Sequence, residues 1–150
     1  MNTRPLHILL ADDDPDDRML LADALAENGS PAELHTVGDG EELLDYLHHR
    51  GKFKKQAGMP LPTLILLDLN MPRKDGREAL RELKSDEQLR RIPVVVLTTS
   101  NAEDDIRRTY DLGVNSFIIK PTSFQDLVDI LKALSDYWFD TVKLPEERNP

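Results

Sequence analysis

Thr63-Leu64-Ile65-Leu66-Leu67-Asp68-Leu69-Asn70-Met71-Pro72 sets an unbroken apolar run directly before an aspartate and a proline-marked turn. A short continuous apolar run bounded by turn signals reads as a strand covered on both faces, the habit of parallel sheets. It is one of five such runs: His7 to Ala11, Ala32 to Val37, Thr63 to Leu67, Val94 to Leu97 and Ser116 to Ile119. Ile8-Leu9-Leu10-Ala11, Val94-Val95-Val96-Leu97 and Phe117-Ile118-Ile119 are equally unbroken, so they too are expected to be covered on both sides.

Helical patterns separate the runs. Asp14 can cap a helix that starts at Pro15, buries Met19, Leu21, Ala22 and Leu25, and ends before Gly29. A second helix spans about Glu41 to His49 with Leu43, Leu44 and Leu47 inward, and Gly51 to Pro62 reads as a loop. A third starts near Gly76, a fourth runs from about Ala102 to Leu112 and stops at Gly113, and a fifth opens at Ser123 and reaches Trp138. Strict alternation of this kind gives an α/β fold, a flavodoxin-like (βα)5 doubly wound parallel sheet of order 2-1-3-4-5 with helices on both faces.

The chain has 150 residues, enough for one core that buries roughly two-thirds of the unfolded surface. A single domain is expected over 1–150, with its core over about 6–138 and a C-terminal extension over 139–150. Hydrophobic residues make up 39% and charged residues 31%, as in ordinary globular proteins. A net charge of −9 repels phosphate backbones and anionic lipid, so neither nucleic acid nor membrane is expected as a partner. There is no cysteine, hence no disulfide or thiolate metal site, and no run nears the roughly 20 apolar residues of a membrane span. Met1 to Leu6 carries no apolar export signal, so a cytoplasmic location is expected.

Ligands of open parallel sheets bind at the carboxyl ends of the strands where strand order reverses, here strands one and three. Asp12, Asp13 and Asp14 follow the first and Asp68 follows the third. Asp14 and Asp16 read best as helix-capping acids. Asp12, Asp13 and Asp68 in one pocket would repel one another unless a cation offset them, and a hard divalent ion such as Mg2+, with Mn2+ as a substitute, suits that donor set. Thr98 and Lys120 close strands four and five on the same rim, where a hydroxyl and an ammonium can each bind a phosphate oxygen.

The chain resembles the response-regulator receiver family over residues 7 to 138. The matching segments are Ile8 to Pro15, Leu67-Asp68-Leu69-Asn70-Met71-Pro72 with Asp75-Gly76, Pro93 to Thr98, and Phe117-Ile118-Ile119-Lys120-Pro121. The resemblance implies that Asp68 accepts a phosphoryl group from a histidine kinase in a Mg2+-dependent reaction. It makes Asp12 and Asp13 the acidic pair, Asn70 a metal ligand through its backbone carbonyl, Lys120 the phosphate-neutralising lysine, and Thr98 with Phe117 a conformational switch. Pro121 takes the family's cis-prone position. Two positions depart from the family pattern: Phe117 replaces the frequent tyrosine, and Thr99 is larger than usual. Such a protein is not an enzyme acting on a separate substrate; it catalyses its own phosphorylation and dephosphorylation.

Two other readings compete. A phosphatase of the haloacid-dehalogenase type also forms an aspartyl phosphate, but needs an aspartate where this chain has Asn70. An unphosphorylated interaction module with a receiver-like shell would not need the complete acidic, Thr98 and Lys120 set.

The last dozen or so residues are too few for a DNA-binding effector. Ile130, Leu134, Tyr137, Trp138 and Phe139 are candidates for a homodimer contact through the helix 4/strand 5/helix 5 face and the C-terminal extension. Packing of that aromatic tail on its own domain is the competing reading. The tail, with Leu97-Thr98-Thr99-Ser100 and Phe117-Ile118-Ile119, resembles small receivers paired with bacterial phytochrome kinases, which implies a phytochrome-type sensor kinase as partner.

Overall fold

In the computed structural model, residues 6–145 are described, and strands and α-helices alternate along them. The strands are β1 (His7–Ala11), β2 (Glu33–Val37), β3 (Leu64–Leu67), β4 (Val94–Thr98) and β5 (Ser116–Ile119). The helices are α1 (Pro15–Glu27), α2 (Gly40–His48), α3 (Gly76–Ser85), α4 (Glu103–Leu112) and α5 (Phe124–Ser135). All strand pairs are parallel, in the order β2-β1-β3-β4-β5, which is the flavodoxin-like arrangement expected. The end of the expected C-terminal extension, 146–150, lies outside the described residues.

Side chains of the central strands alternate between two apolar layers. Leu9, Ala11, Ile65, Leu67, Val94 and Val96 meet Leu43 and Leu47 of α2 and Ala79, Leu80 and Leu83 of α3. Ile8, Leu10, Leu64, Leu66, Val95 and Leu97 meet Leu21, Ala24 and Leu25 of α1 and Val128 and Leu131 of α5. Each such leucine or isoleucine contributes roughly 1.5–3 kcal/mol by leaving water. This double cover is why β1, β3 and β4 read as unbroken apolar runs.

The same logic fails at β5. It forms the sheet's edge, its first three residues are only partly buried, and Ile119 is 49% exposed. The expectation that Phe117-Ile118-Ile119 would be covered on both faces is therefore corrected. In α1 the buried stripe is Leu21, Ala24 and Leu25, while Met19 and Ala22 are exposed. At about 100° per residue, positions 19 and 22 turn away from the arc that 21, 24 and 25 define.

The expected loop after α2 contains a short 3-10 turn, Gly51–Gln56. Beyond α5 the chain widens into a π-turn, Asp136–Thr141. Trp138 and Phe139 there pack against the α1/α5 layer, as do Leu134 and Leu127. Tyr137 is 50% exposed and lies edge-on to Trp138, with ring centroids 5.1 Å apart. Among the homodimer candidates, then, Leu134, Trp138 and Phe139 spend apolar surface on their own domain, Ile130 is partly buried, and Tyr137 faces outward.

Candidate functional site

Each candidate residue is positioned by extension of the sheet ladder past its strand. The amide of Asp12 donates to the Val37 carbonyl (3.0 Å), that of Asp68 to the Ala11 carbonyl (3.0 Å), and that of Lys120 to the Thr98 carbonyl (2.8 Å). The carboxyl ends of β1, β3, β4 and β5 thereby share one rim, at the point where strand order reverses.

Asp68 and Asp12 are buried and Asp13 is exposed, and one oxygen from each lies within 4.8 Å of the others. Three converging carboxylates in a half-buried site are a hard, anionic donor set of the kind divalent metals use. The fit to such an ion is good: Asp13 opens the cluster to solvent, and the two buried members supply low-dielectric attraction. Burial pushes the Asp12 carboxyl up from its ordinary value, against the opposing pull of Lys120.

The Thr98 hydroxyl, fully buried, donates to Asp68 Oδ1 at 2.7 Å, and the Asn70 amide donates to the same oxygen at 3.2 Å. Phe117 packs against the α2/α3 layer. The Thr98 hydroxyl thus already faces the site. A buried hydroxyl beside a carboxylate gains a charge-assisted bond and would otherwise go unpaired.

Lys120 donates to Asp12 Oδ2 at 2.8 Å, to Asp17 Oδ2 at 2.7 Å and to Asp68 Oδ2 at 3.2 Å. Burial alone would lower its pKa, but bonding to Asp12 and Asp17 and the charge of Asp68 outweigh this and raise it, so the ammonium is fixed. Asp14 caps α1 by accepting from the Asp16 amide, as read from the sequence. Among the described residues no peptide bond is cis, so the one preceding Pro121 is trans.

Several participants were not anticipated. Arg18 Nη1 donates to the Asp12 carbonyl at 2.6 Å. Arg77, in the first turn of α3, grips Asp105 of α4 with two bonds of 2.7 Å, and Ser100 adds a third at 2.7 Å. The Arg77 guanidinium thereby holds Asp105 down to about 2. This clamp ties the loop after Thr98 to the helix that follows Asp68. Arg73 sits in the left-handed region (φ 62°) and reaches back to the buried Asp39. Burial pushes Asp39 up, yet the Glu42 amide and the Arg73 guanidinium bring it below its ordinary value.

Gly76 has a plainer role. A Cβ there would overlap the Asp68 carbonyl and lie 2.7 Å from the Leu69 Cα, so only glycine lets α3 start this close to the site.

The family model of the response regulator receiver domain matches residues 8–132. The response regulator Rcp1 of Synechocystis sp. is 41% identical over 141 residues, covering 94% of both chains. Its Mn(2+)-bound crystal structure superposes with a TM-score of 0.84, covering 95% of this chain and 100% of that one. The crystal structure of the phosphorylated cyanobacterial phytochrome response regulator RcpA is 46% identical with a TM-score of 0.87, covering 95% and 100%. A probable methanogenesis regulatory protein, FilR2 of Methanothrix harundinacea, is 42% identical over 142 residues, covering 94% of this chain and 88% of its own. The acidic rim, the sheet order and these likenesses agree that the chain belongs to the response regulator receiver domain family and is homologous to phytochrome response regulators.

Proposed function

We propose that this chain takes a phosphoryl group from a sensor histidine kinase onto Asp68. The observation that carries the reading is the convergence of Asp68 with Asp12, Asp13, Thr98 and Lys120 on one rim. Asp12, Asp13, Asp68 and the Asn70 carbonyl would hold Mg2+ or Mn2+. When bound, that ion cancels charge on the equatorial oxygens in flight.

The chain's own residues do the rest. An Asp68 oxygen attacks the phosphorus of the kinase phosphohistidine; the P–N bond breaks and the imidazole leaves with its electron pair. Lys120 and the Thr98 hydroxyl bind the transferred oxygens, which is mainly positioning and charge cancellation. Water later cleaves the acyl phosphate, returning the carboxylate and inorganic phosphate. Thr98 and Phe117 form the switch, and their inward placement corresponds to one of its two packings.

Homology to RcpA supports a phytochrome-type kinase as the donor, and such a partner supports a cytoplasmic location. Phosphorylated kinase of that type should lose its label to this chain when Mg2+ is present and keep it in EDTA. Label that stays on the kinase under both conditions refutes the assignment. Large apolar side chains stand exposed on α4 (Tyr110, 48%), β5 (Ile119, 49%) and α5 (Phe124, 42%), with Tyr137 beyond. They support a homodimer through this face. Light scattering of the full chain should give twice the monomer mass; a monomer at high concentration removes the dimer.

A further inference from the structure

Lys120 has three N–H donors and three carboxylate partners, but the partners are not equivalent. The contacts to Asp17 (2.7 Å) and Asp12 (2.8 Å) are short, and that to Asp68 is the long one at 3.2 Å. Asp12 and Asp68 also belong to the three-carboxylate cluster suited to a metal, whereas Asp17, in the first turn of α1, does not. A dication and the ammonium therefore lay claim to the same two carboxylates. Two cations in one half-buried pocket repel strongly unless further negative charge separates them.

The geometry points to Asp17 as a positioning residue that keeps a carboxylate on Lys120 when a divalent cation takes Asp12 and Asp68, so that lysine and metal can occupy the site together. This rests on the phosphoryl-accepting reading above and adds a residue to it. Asp17 stays on the α1 side of Lys120, 35% exposed in its side chain, where it can follow a small movement of the ammonium. Without it, Lys120 would lean further onto Asp12 and Asp68 and oppose the incoming metal. The acid acts through the lysine and touches neither the phosphoryl group nor the ion.

The test is a double-mutant cycle read by Mg2+ titration, followed by NMR chemical shifts of the unphosphorylated chain. Asp17→Asn should weaken Mg2+ binding roughly tenfold, the size expected for losing one charge-assisted bond. Asp16→Asn removes the same charge from an exposed position one residue away and should change affinity less than about twofold. In a Lys120→Met background, Asp17→Asn should shrink to the Asp16→Asn effect, because the competing ammonium is gone. Equal effects of Asp17→Asn and Asp16→Asn overturn the proposal. So does a tenfold loss that persists without Lys120, which would make Asp17 a simple source of field. A thermal melt of each variant separates misfolding from weakened binding. Wild-type chain that takes no Mg2+ at all sinks the phosphoryl-accepting reading instead, so the two failures are distinguishable.

Discussion

Asp68→Asn should leave the chain unlabelled by acetyl phosphate, with the rate falling by at least roughly 10^3-fold, as when a nucleophile is deleted from an acyl-forming site. The amide has no electron pair basic enough to attack phosphorus, yet it fills the same volume. Its carbonyl can still accept the Thr98 hydroxyl that now bonds Asp68 Oδ1 at 2.7 Å. The fold should therefore survive, and relief of repulsion with Asp12 and Asp13 should keep the melting temperature at or above wild type. Beryllofluoride, a phosphoryl mimic, should shift the NMR resonances of residues 98 to 120 in the wild type and not in the variant. Labelling of Asp68→Asn at the wild-type rate, or fixed resonances in the wild type, would each defeat the assignment, the first for the acceptor and the second for the switch.

Lys120→Met carries the second large effect, and it has two parts. Removing the ammonium takes from the Asp12 and Asp68 carboxylates, 2% and 8% exposed in their side chains, the lysine that pairs with both. Breaking a fully buried pair from one side costs about 3–5 kcal/mol, and partial exposure of Lys120 reduces this to about 2 kcal/mol. Denaturant unfolding in EDTA should show that loss, and millimolar Mg2+ should restore most of it by supplying the missing positive charge. Labelling by acetyl phosphate should slow about 100-fold even with Mg2+ present, because one preorganised charge on the transferred oxygens is gone. Stability that is unchanged in EDTA would mean that Lys120 is not the counter-charge of the buried carboxylates.

The strands and the rim were legible because parallel sheets impose a one-dimensional signature. Apolar runs such as Ile65-Leu66-Leu67 end where the sheet ends, so the next residue, Asp68, falls at the crevice without further information. Thr98 and Lys120 follow by the same rule. Edge effects were less legible, since the apolar run at β5 resembles that of a central strand, although the expected order already put it at the edge of the sheet. Contacts between charged groups were least legible. Asp17 and Lys120 are 103 positions apart, and Arg77 and Asp105 are 28 apart; neither pair leaves a periodic trace. In Asp12 to Asp17 the capping role of Asp14 was readable from local chemistry, whereas the reach of Asp17 across to β5 depended on how α1 packs beside α5.

The edge position of β5 gives its last residues a second consequence, unrelated to phosphorus. An open strand invites foreign chains to add on, and long flat edges seed aggregates. Here an intruding chain meets only four residues of ladder, Ser116 to Ile119, before Lys120 and then Pro121, whose nitrogen bears no hydrogen. The proline ring therefore ends the row of donors that this edge can offer to another strand.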